Sequence, residues 1–165
     1  MQTRRRTVLL LGGAGLALLS ARWLGGARAE RATSFEIARS AEEWKTLLTP
    51  AQYHVLREHG TERPGTSALN AEKRKGLYSC AGCDLPLFSS DTKYESGTGW
   101  PSFYDVLPNA VGTQTDRSLL MSRTEVHCRR CGGHLGYVFK DGPKPTGLRY
   151  CVNGVALKFS PDKAA

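Results

Sequence analysis

Two pairs of cysteines with the same C-x-x-C spacing constrain this chain more than any other feature of its sequence. Cys80 and Cys83 form the first pair, Cys128 and Cys131 form the second, and 44 residues separate the pairs. A two-residue spacer lets both sulfurs of a tight turn point at one position about 2.3 Å away, so two turns can complete a tetrahedron around zinc. The spacing therefore predicts a structural zinc site with four cysteine ligands that ties distant parts of the chain together.

Other interpretations of the four cysteines stay open at this point. Two disulfides would suit an oxidising compartment, although a disulfide within each pair closes a very small loop and constrains little. Iron in the same cage is the main metal alternative, and a thioredoxin-like redox pair lacks the βαβ context it needs. Arg129 and Arg130 lie inside the second pair and are expected to offset the charge of four thiolates.

The segment before the cysteines predicts two short helices. Each begins with a hydroxyl residue followed three positions later by Glu or Gln, as in a capping box: Ser40 with Glu43, and Thr49 with Gln52. Residues 61–70 have no apolar period and predict an extended loop. His54 and His59 are expected near the solvated face of the second helix, and neither is assigned a chemical role.

From Lys75 onward, short apolar or β-branched runs alternate with Gly, Pro, Asn and Asp. This pattern is typical of antiparallel β structure. A chain of 165 residues with 40% hydrophobic content is ample for one core and hardly enough for two. We therefore expect a single, mainly β domain over residues 40–165.

Residues 1–29 have the composition of a cleavable export signal. Three arginines, Arg4 to Arg6, precede a 12-residue apolar run, and Ala27-Arg28-Ala29 offers small residues to a signal peptidase. The adjacent arginines also resemble a twin-arginine signal. Because spanning a bilayer takes about 20 residues, we expect cleavage, no lasting membrane insertion, and a location outside the cytoplasm, in a bacterial periplasm. Residues 30–39 predict a flexible lead.

The charge balance argues against nucleic acid as a partner. The formal net charge is +8, but five arginines lie within the first 29 residues, which contain no acid. The remainder has 18 basic and 15 acidic residues, a net charge of +3. A body so nearly neutral has no strong field to attract a polyanion.

The fifth cysteine, Cys151, lies in a strand-like run with Arg149 and Asn153. Alternation along a strand places these three side chains on one face. A guanidinium favours thiolate over thiol, and an amide can donate to an oxygen near the sulfur. A lone cysteine is also commonly a small buried hydrophobe, so the run alone leaves both interpretations open.

Two glycine-rich segments supply further candidates. Trp100, within the segment 96–103, can form an apolar wall for a sulfur-containing group or belong to the core. His134 follows the second cysteine pair and fits a proton donor, a ligand-supporting residue or a core histidine.

Together these motifs resemble the peptide-methionine (R)-S-oxide reductases, from about Glu42 to Phe159. The resemblance rests on the two cysteine pairs and on the segments 96–103, 123–126, 133–139 and 149–153. It implies a mainly β fold of two antiparallel sheets, described as a β-tent, with short N-terminal helices. It also implies one structural zinc ion held by Cys80, Cys83, Cys128 and Cys131.

The same resemblance implies a role for each candidate residue. Cys151 is the nucleophile, with Arg149, His134 and Asn153 as the other catalytic residues. Trp100 forms the wall for the substrate methyl group, and Phe103 and Tyr137 line the same pocket.

Two positions depart from the commonest family pattern. Thr98 stands where many relatives carry a resolving cysteine, and Tyr137 stands where a second histidine is usual. We therefore expect reduction of the R epimer of methionine sulfoxide in proteins through a sulfenic acid on Cys151, which an external thiol from a thioredoxin-like protein resolves. A monomer is the default. The alternatives are a non-enzymatic zinc module that binds a protein partner, and a one-cysteine peroxidase.

Overall fold

The computed structural model describes residues 35–118 and 121–163, and the predicted export signal lies outside them. Two helices open this part of the chain, α1 (Ala41–Leu47) and α2 (Pro50–Glu58). Both capping boxes are formed: the Ser40 hydroxyl accepts the Glu43 amide at 3.2 Å, and the Thr49 hydroxyl accepts the Gln52 amide at 3.3 Å. The two predicted helices are therefore confirmed, and local hydrogen bonds explain where they start.

The predicted flexible lead is described from residue 35 onward. The Phe35 ring packs edge-on against His127 with centroids 5.6 Å apart. The Ile37 amide donates to the Arg130 carbonyl at 3.0 Å. These contacts join residues 35–37 to the second cysteine turn.

Nine strands follow within the described residues: β1 (Gly76–Cys80), β2 (Pro86–Ser89), β3 (Lys93–Tyr94), β4 (Ser102–Phe103), β5 (Val111–Asp116), β6 (Arg123–Cys128), β7 (His134–Phe139), β8 (Arg149–Val152) and β9 (Leu157–Pro161). They form a three-stranded sheet in the order β2-β1-β9 and a six-stranded sheet in the order β3-β4-β8-β7-β6-β5. Every pairing is antiparallel. The predicted fold of two antiparallel sheets with short N-terminal helices is confirmed.

Aromatic rings fill the core. The Phe88 ring stacks on Phe103 with centroids 4.3 Å apart, and Tyr78 meets Phe103 edge-on at 5.0 Å. From α2, Val55 and Leu56 are buried in the same core. Burial of such side chains contributes about 1.5–3 kcal/mol each, so α2 is held to the β body by its apolar face.

The register of the larger sheet places the fifth cysteine. Strand β8 lies between β4 and β7, so Cys151 is paired with Ser102 on one side and Tyr137 on the other. A side chain at Gly136 would collide with the Cys151 carbonyl, so glycine permits the close approach of β7 to β8. Within the described residues, no helix has the length and apolar character needed to cross a membrane.

Candidate active site and metal centre

The two C-x-x-C turns bring four sulfurs together. Cys80 Sγ is 3.7 Å from Cys131 Sγ, and Cys83 Sγ is 3.5 Å from Cys128 Sγ. A tetrahedron with metal–sulfur bonds of about 2.3 Å has edges of about 3.8 Å, so the cluster has the size that an ion such as zinc requires. Each of these short sulfur–sulfur distances connects a cysteine of the first turn to a cysteine of the second. The cluster can therefore hold one metal ion, and it links the end of β1 to the end of β6.

A cation that sequence reasoning missed lies beside this cluster. Arg57 of α2 donates through Nη1 to the Cys131 carbonyl at 3.0 Å, and its Nη2 is 3.5 Å from Cys131 Sγ. Its guanidinium also stacks over the Trp44 ring, 4.4 Å from the centroid. Arg129 and Arg130 donate instead to the backbone carbonyls of Asn109 and Cys83. Thus it is Arg57 that offsets thiolate charge directly.

A pocket of about 170 Å³ lies beside the fifth cysteine. Four predicted site residues line it, and so do four residues that were not predicted: Cys151, Trp100, Tyr137 and Asn153, with Thr61, Arg123, Gly136 and Phe139. Cys151 is half-buried, so its sulfur is reachable from the pocket while still held by the sheet. The lining combines one thiol, three aromatic rings and a few polar groups, which suits a small ligand with an apolar body and one polar atom.

Three hydroxyl groups connect Cys151 to its neighbouring loop. Thr98 Oγ1 lies 3.8 Å from Cys151 Sγ, and it is 2.8 Å from Ser96 Oγ. Ser96 Oγ is in turn 2.7 Å from Ser102 Oγ, which donates to the Trp100 carbonyl at 3.2 Å. The nucleophile candidate and the tryptophan wall are therefore coupled through one hydrogen-bonded chain.

Glu62, in the loop after α2, holds two pocket residues in place. Its carbonyl accepts the Trp100 indole N–H at 3.1 Å, and its amide donates to Asn153 Oδ1 at 2.9 Å. Its carboxylate accepts the backbone amides of Gly154 and Val155. Sequence reasoning treated this loop only as an extended connection, because nothing local marks Glu62 as a contact of a residue 91 positions away.

Arg149 lies beside Cys151 on the exposed face of β8, as alternation predicts. Its Nε and Nη2 make a bidentate ion pair with Asp141 at 2.9 and 2.8 Å. The guanidinium also lies 4.4 Å from the centroid of the Phe139 ring. The Arg149 guanidinium is thus a positive charge held in place by Asp141, and two of its N–H donors are already used by that carboxylate.

Tyr137 is held at the pocket wall by two partners. Its hydroxyl donates to Asp116 Oδ2 at 2.9 Å, and the Arg123 guanidinium lies over its ring at 4.0 Å. Burial, with the hydrogen bond to Asp116, raises the pKa of Tyr137 to about 12. The hydroxyl therefore stays protonated at neutral pH and already has an acceptor.

His134 and Phe103 are placed differently from the four lining residues. Phe103 is completely buried within the aromatic core. His134 is also completely buried; its Nδ1 is 2.7 Å from Glu125 Oε1, and its ring meets the Tyr137 ring edge-on at 5.4 Å. The structure thus brings Cys151, Trp100, Tyr137 and Asn153 together at the pocket, with His134 in the layer behind Tyr137.

Glu125 is a second residue that sequence reasoning missed. Its carboxylate is 2% exposed and contacts two further imidazoles, with His59 Nδ1 at 3.2 Å and His127 Nδ1 at 3.9 Å. Burial alone would raise its pKa, but hydrogen bonds from His127, His134 and Gln114 hold the pKa of Glu125 below its usual range. A charged residue in the middle of a buried strand was the available signal. His59, which was assigned no role, contributes to this cluster.

The chain matches the model of the SelR domain over residues 48–161. It is similar to proteins named peptide methionine sulfoxide reductase MsrB from several organisms. The relative from Methanosarcina mazei is 58% identical over 129 residues, covering 78% of this chain and 92% of that protein. The relative from Agrobacterium fabrum is 55% identical over 78% of this chain and 96% of its own length. The relative from Pseudomonas putida strain W619 is 54% identical over 79% and 98%.

The cysteine cluster, the thiol pocket and the match over most of the chain define a protein of the SelR-domain class. The chain belongs to the family of MsrB-type peptide methionine sulfoxide reductases, which confirms the resemblance found from the sequence.

Proposed function

We propose that this enzyme reduces the R epimer of methionine sulfoxide in oxidised proteins and peptides back to methionine. One observation carries the proposal: a half-buried thiol, Cys151, shares a small pocket with the Trp100 indole and lies apart from the four clustered cysteines. Family membership supports the reaction type. Selection of one epimer requires three fixed directions around the sulfur, and the pocket residues supply them.

The substrate methyl group packs against the Trp100 ring, where an aromatic face favours sulfur-bearing groups. The sulfoxide oxygen takes a hydrogen bond from Asn153. One proton of the Asn153 amide is committed to the Leu135 carbonyl at 3.0 Å; because a primary amide has two protons, the other is free for the substrate. Phe103 backs the pocket from the core, and Arg149 supplies positive charge beside Cys151.

The chemistry transfers one oxygen atom. The Cys151 thiolate attacks the substrate sulfur and forms a transient sulfur–sulfur bond. The protonated oxygen leaves the substrate sulfur and bonds to the Cys151 sulfur, the sulfur–sulfur bond breaks, and methionine departs while Cys151 is left as a sulfenic acid. The substrate sulfur gains two electrons and the Cys151 sulfur loses two, and one proton is taken up. We assign the donation of this proton to His134, which lies behind the pocket wall and not in it, so the donation requires the wall to move when substrate binds. Sulfenic acid is a reversible rung of cysteine oxidation that condenses with a thiol.

An external thiol then resolves Cys151. The other four cysteines form the metal cluster, and the residue whose side chain lies 3.8 Å from Cys151 Sγ is a threonine, Thr98. A thiol from a thioredoxin-like protein attacks the sulfenic acid, water leaves, and a second thiol of the donor releases Cys151 from the mixed disulfide.

Zinc is the ion that we assign to the cysteine cluster. Four thiolates with tetrahedral separations are its usual structural ligand set. Cys80, Cys83, Cys128 and Cys131 would hold it, and a saturated ion supplies structural stability without an open position for substrate. We also propose that the protein acts outside the cytoplasm, as the sequence of residues 1–29 predicts, and that it is a monomer.

Turnover of separated R and S epimers, with thioredoxin and its reductase as the donor system, tests the proposal. We expect conversion of the R epimer only. Cys151→Ser should abolish turnover and leave the metal content unchanged. Full activity of this variant would exclude Cys151 as the nucleophile. A wild-type chain that reduces neither epimer would favour a non-enzymatic zinc module, and reaction with peroxide alone would favour a peroxidase.

A further inference from the structure

Glu125 is an ionisable group that the reaction described above does not use. Its carboxylate is 2% exposed, and burying a charge costs several kcal/mol unless hydrogen bonds replace water. Those bonds are present: Oε1 faces His134 Nδ1 at 2.7 Å and His59 Nδ1 at 3.2 Å, and Oε2 accepts from the Gln114 amide. The fold therefore maintains a negative charge directly behind the pocket wall.

This carboxylate determines where His134 carries its first proton. An ionised carboxylate only accepts hydrogen bonds, so the His134 nitrogen at 2.7 Å from it, Nδ1, is the protonated one. In the neutral ring Nε2 is then bare, and it gains a proton only when the ring becomes an imidazolium. Nε2 is buried and has no hydrogen-bond partner among the described residues. Nε2 is therefore the ring nitrogen that the surrounding described residues leave without a partner.

We infer that Glu125 is a positioning residue that fixes the ring orientation and the tautomer of His134, with the proton on Nδ1 and with Nε2 as the nitrogen that serves the sulfoxide oxygen. The inference rests on the proposed function. When the Nε2 proton moves to the oxygen, His134 is left as the neutral ring that Glu125 holds by its Nδ1 proton. A buried carboxylate has this role toward the histidine of serine protease triads, where it stays ionised throughout.

The groups around His134 keep its ring in this orientation. The His59 ring, at the end of α2, lies 5.0 Å from it on one side, and the Tyr137 ring lies 5.4 Å from it on another. His127 on β6 reaches the same carboxylate at 3.9 Å. The Arg57 guanidinium borders the adjacent Gly133. Glu125 is the negative charge among these groups, so its removal leaves His134 beside basic and neutral neighbours.

The test compares Glu125→Gln with Glu58→Gln. Glu58 is a matched control because its carboxylate lies 3.1 Å from His54 Nδ1 in a pair that is exposed to solvent. We expect E125Q to lower kcat roughly a hundredfold, within the range of general acid–base effects, with KM unchanged. E58Q should match the wild type in both constants. Metal content and the rate of Cys151 alkylation by iodoacetamide should stay the same in both variants, which shows that the fold and the nucleophile are intact.

Nitrogen-15 NMR of labelled histidine adds a measurement whose result would not change if Glu125 had only a structural role. We expect neutral His134 to be the Nδ1–H tautomer in the wild type and to lose this preference in E125Q. A bare Nδ1 in the wild type, or wild-type kcat in a folded E125Q, would overturn the inference. If E125Q does not fold, the wild-type tautomer decides. Failure of the proposed function is a separate result, because a chain that reduces neither epimer still reports its tautomer.

Discussion

Replacing Glu62 with alanine should weaken the fold and the pocket together. The Glu62 carboxylate accepts two backbone amides, Gly154 and Val155, at the start of a 3-10 helix that follows Asn153. A hydrogen bond to a charged group is worth about 1.5–3 kcal/mol. Because Glu62 is only partly buried, we take the lower part of that range for each bond. The expected loss for the two bonds is about 3–4 kcal/mol in the free energy of unfolding.

Urea denaturation of the metal-loaded chain, followed by circular dichroism, measures the free-energy loss, and thermal denaturation measures the shift in Tm. For a body of this size each kcal/mol lowers Tm by about 3–5 °C, so Tm should fall by roughly 9–20 °C. KM should also rise, because loss of the carboxylate contacts to Gly154 and Val155 frees the segment whose backbone holds Trp100 and Asn153.

Glu95→Ala is the matched control for this prediction. The Glu95 carboxylate also accepts a backbone amide, that of Gly97 at 2.7 Å, but in an exposed position. Its loss should cost less than about 0.5 kcal/mol, as is usual for surface sites. Equal costs for E62A and E95A, or a wild-type stability for E62A, would show that the Glu62 contacts do not stabilise the site.

Three further predictions address the nucleophile, the pocket wall and the metal. Thr98→Cys places a second sulfur where Thr98 Oγ1 now lies 3.8 Å from Cys151 Sγ. One turnover of this variant without reductant should leave a disulfide between residues 98 and 151. A sulfenic acid that persists on Cys151 would contradict this prediction. Hydrogen bonds from the Ser118 amide and the Tyr137 hydroxyl hold the pKa of Asp116 below its usual range. The ionised Asp116 carboxylate therefore stabilises the fold above about pH 4, and this stabilisation is lost as the pH falls further. The stability difference between the wild type and Asp116→Asn should therefore shrink below about pH 4 in denaturation curves, and a difference that is constant from about pH 7 to about pH 3 would refute the assignment. Removal of zinc by a chelator should unfold the chain, because a structural zinc site contributes about 10 kcal/mol; a native circular dichroism spectrum without metal would contradict a structural role.

Features that depend on neighbouring residues were predictable from the sequence. The capping boxes at Ser40 and Thr49 act within four residues, and the tight C-x-x-C turns need only their own spacing. The alternation along β8 also placed Arg149 and Cys151 on one face correctly, since alternation is a property of any strand.

Contacts between distant residues were not predictable in this way. Arg57 reaches Cys131 across 74 positions, and no periodicity connects a helix residue to a cysteine turn. The contact of Glu62 with Asn153 and that of His59 with Glu125 also join residues far apart in the sequence, and no local pattern predicts them. The register of β8 between β4 and β7 decides which side chains face Cys151, and register depends on the whole sheet.

The placement of His134 shows the limit most clearly. Its glycine-rich segment left open a proton donor, a ligand-supporting residue or a core histidine, and by itself it favoured the last two. The structure places it fully buried, hydrogen-bonded to Glu125 and behind Tyr137. Only the position of the Glu125 carboxylate distinguishes between its two ring nitrogens.

The central claim is that Cys151 carries the oxygen during turnover while the other cysteines hold the ion. Intact-mass and peptide-mapping spectrometry of the chain, after one equivalent of R-sulfoxide without any thiol, tests it directly. The account predicts one added oxygen, trapped by dimedone on Cys151 alone, with one methionine released and the bound zinc retained. Methionine release with an unmodified Cys151, or with the oxygen on a cysteine of the metal cluster, would contradict it.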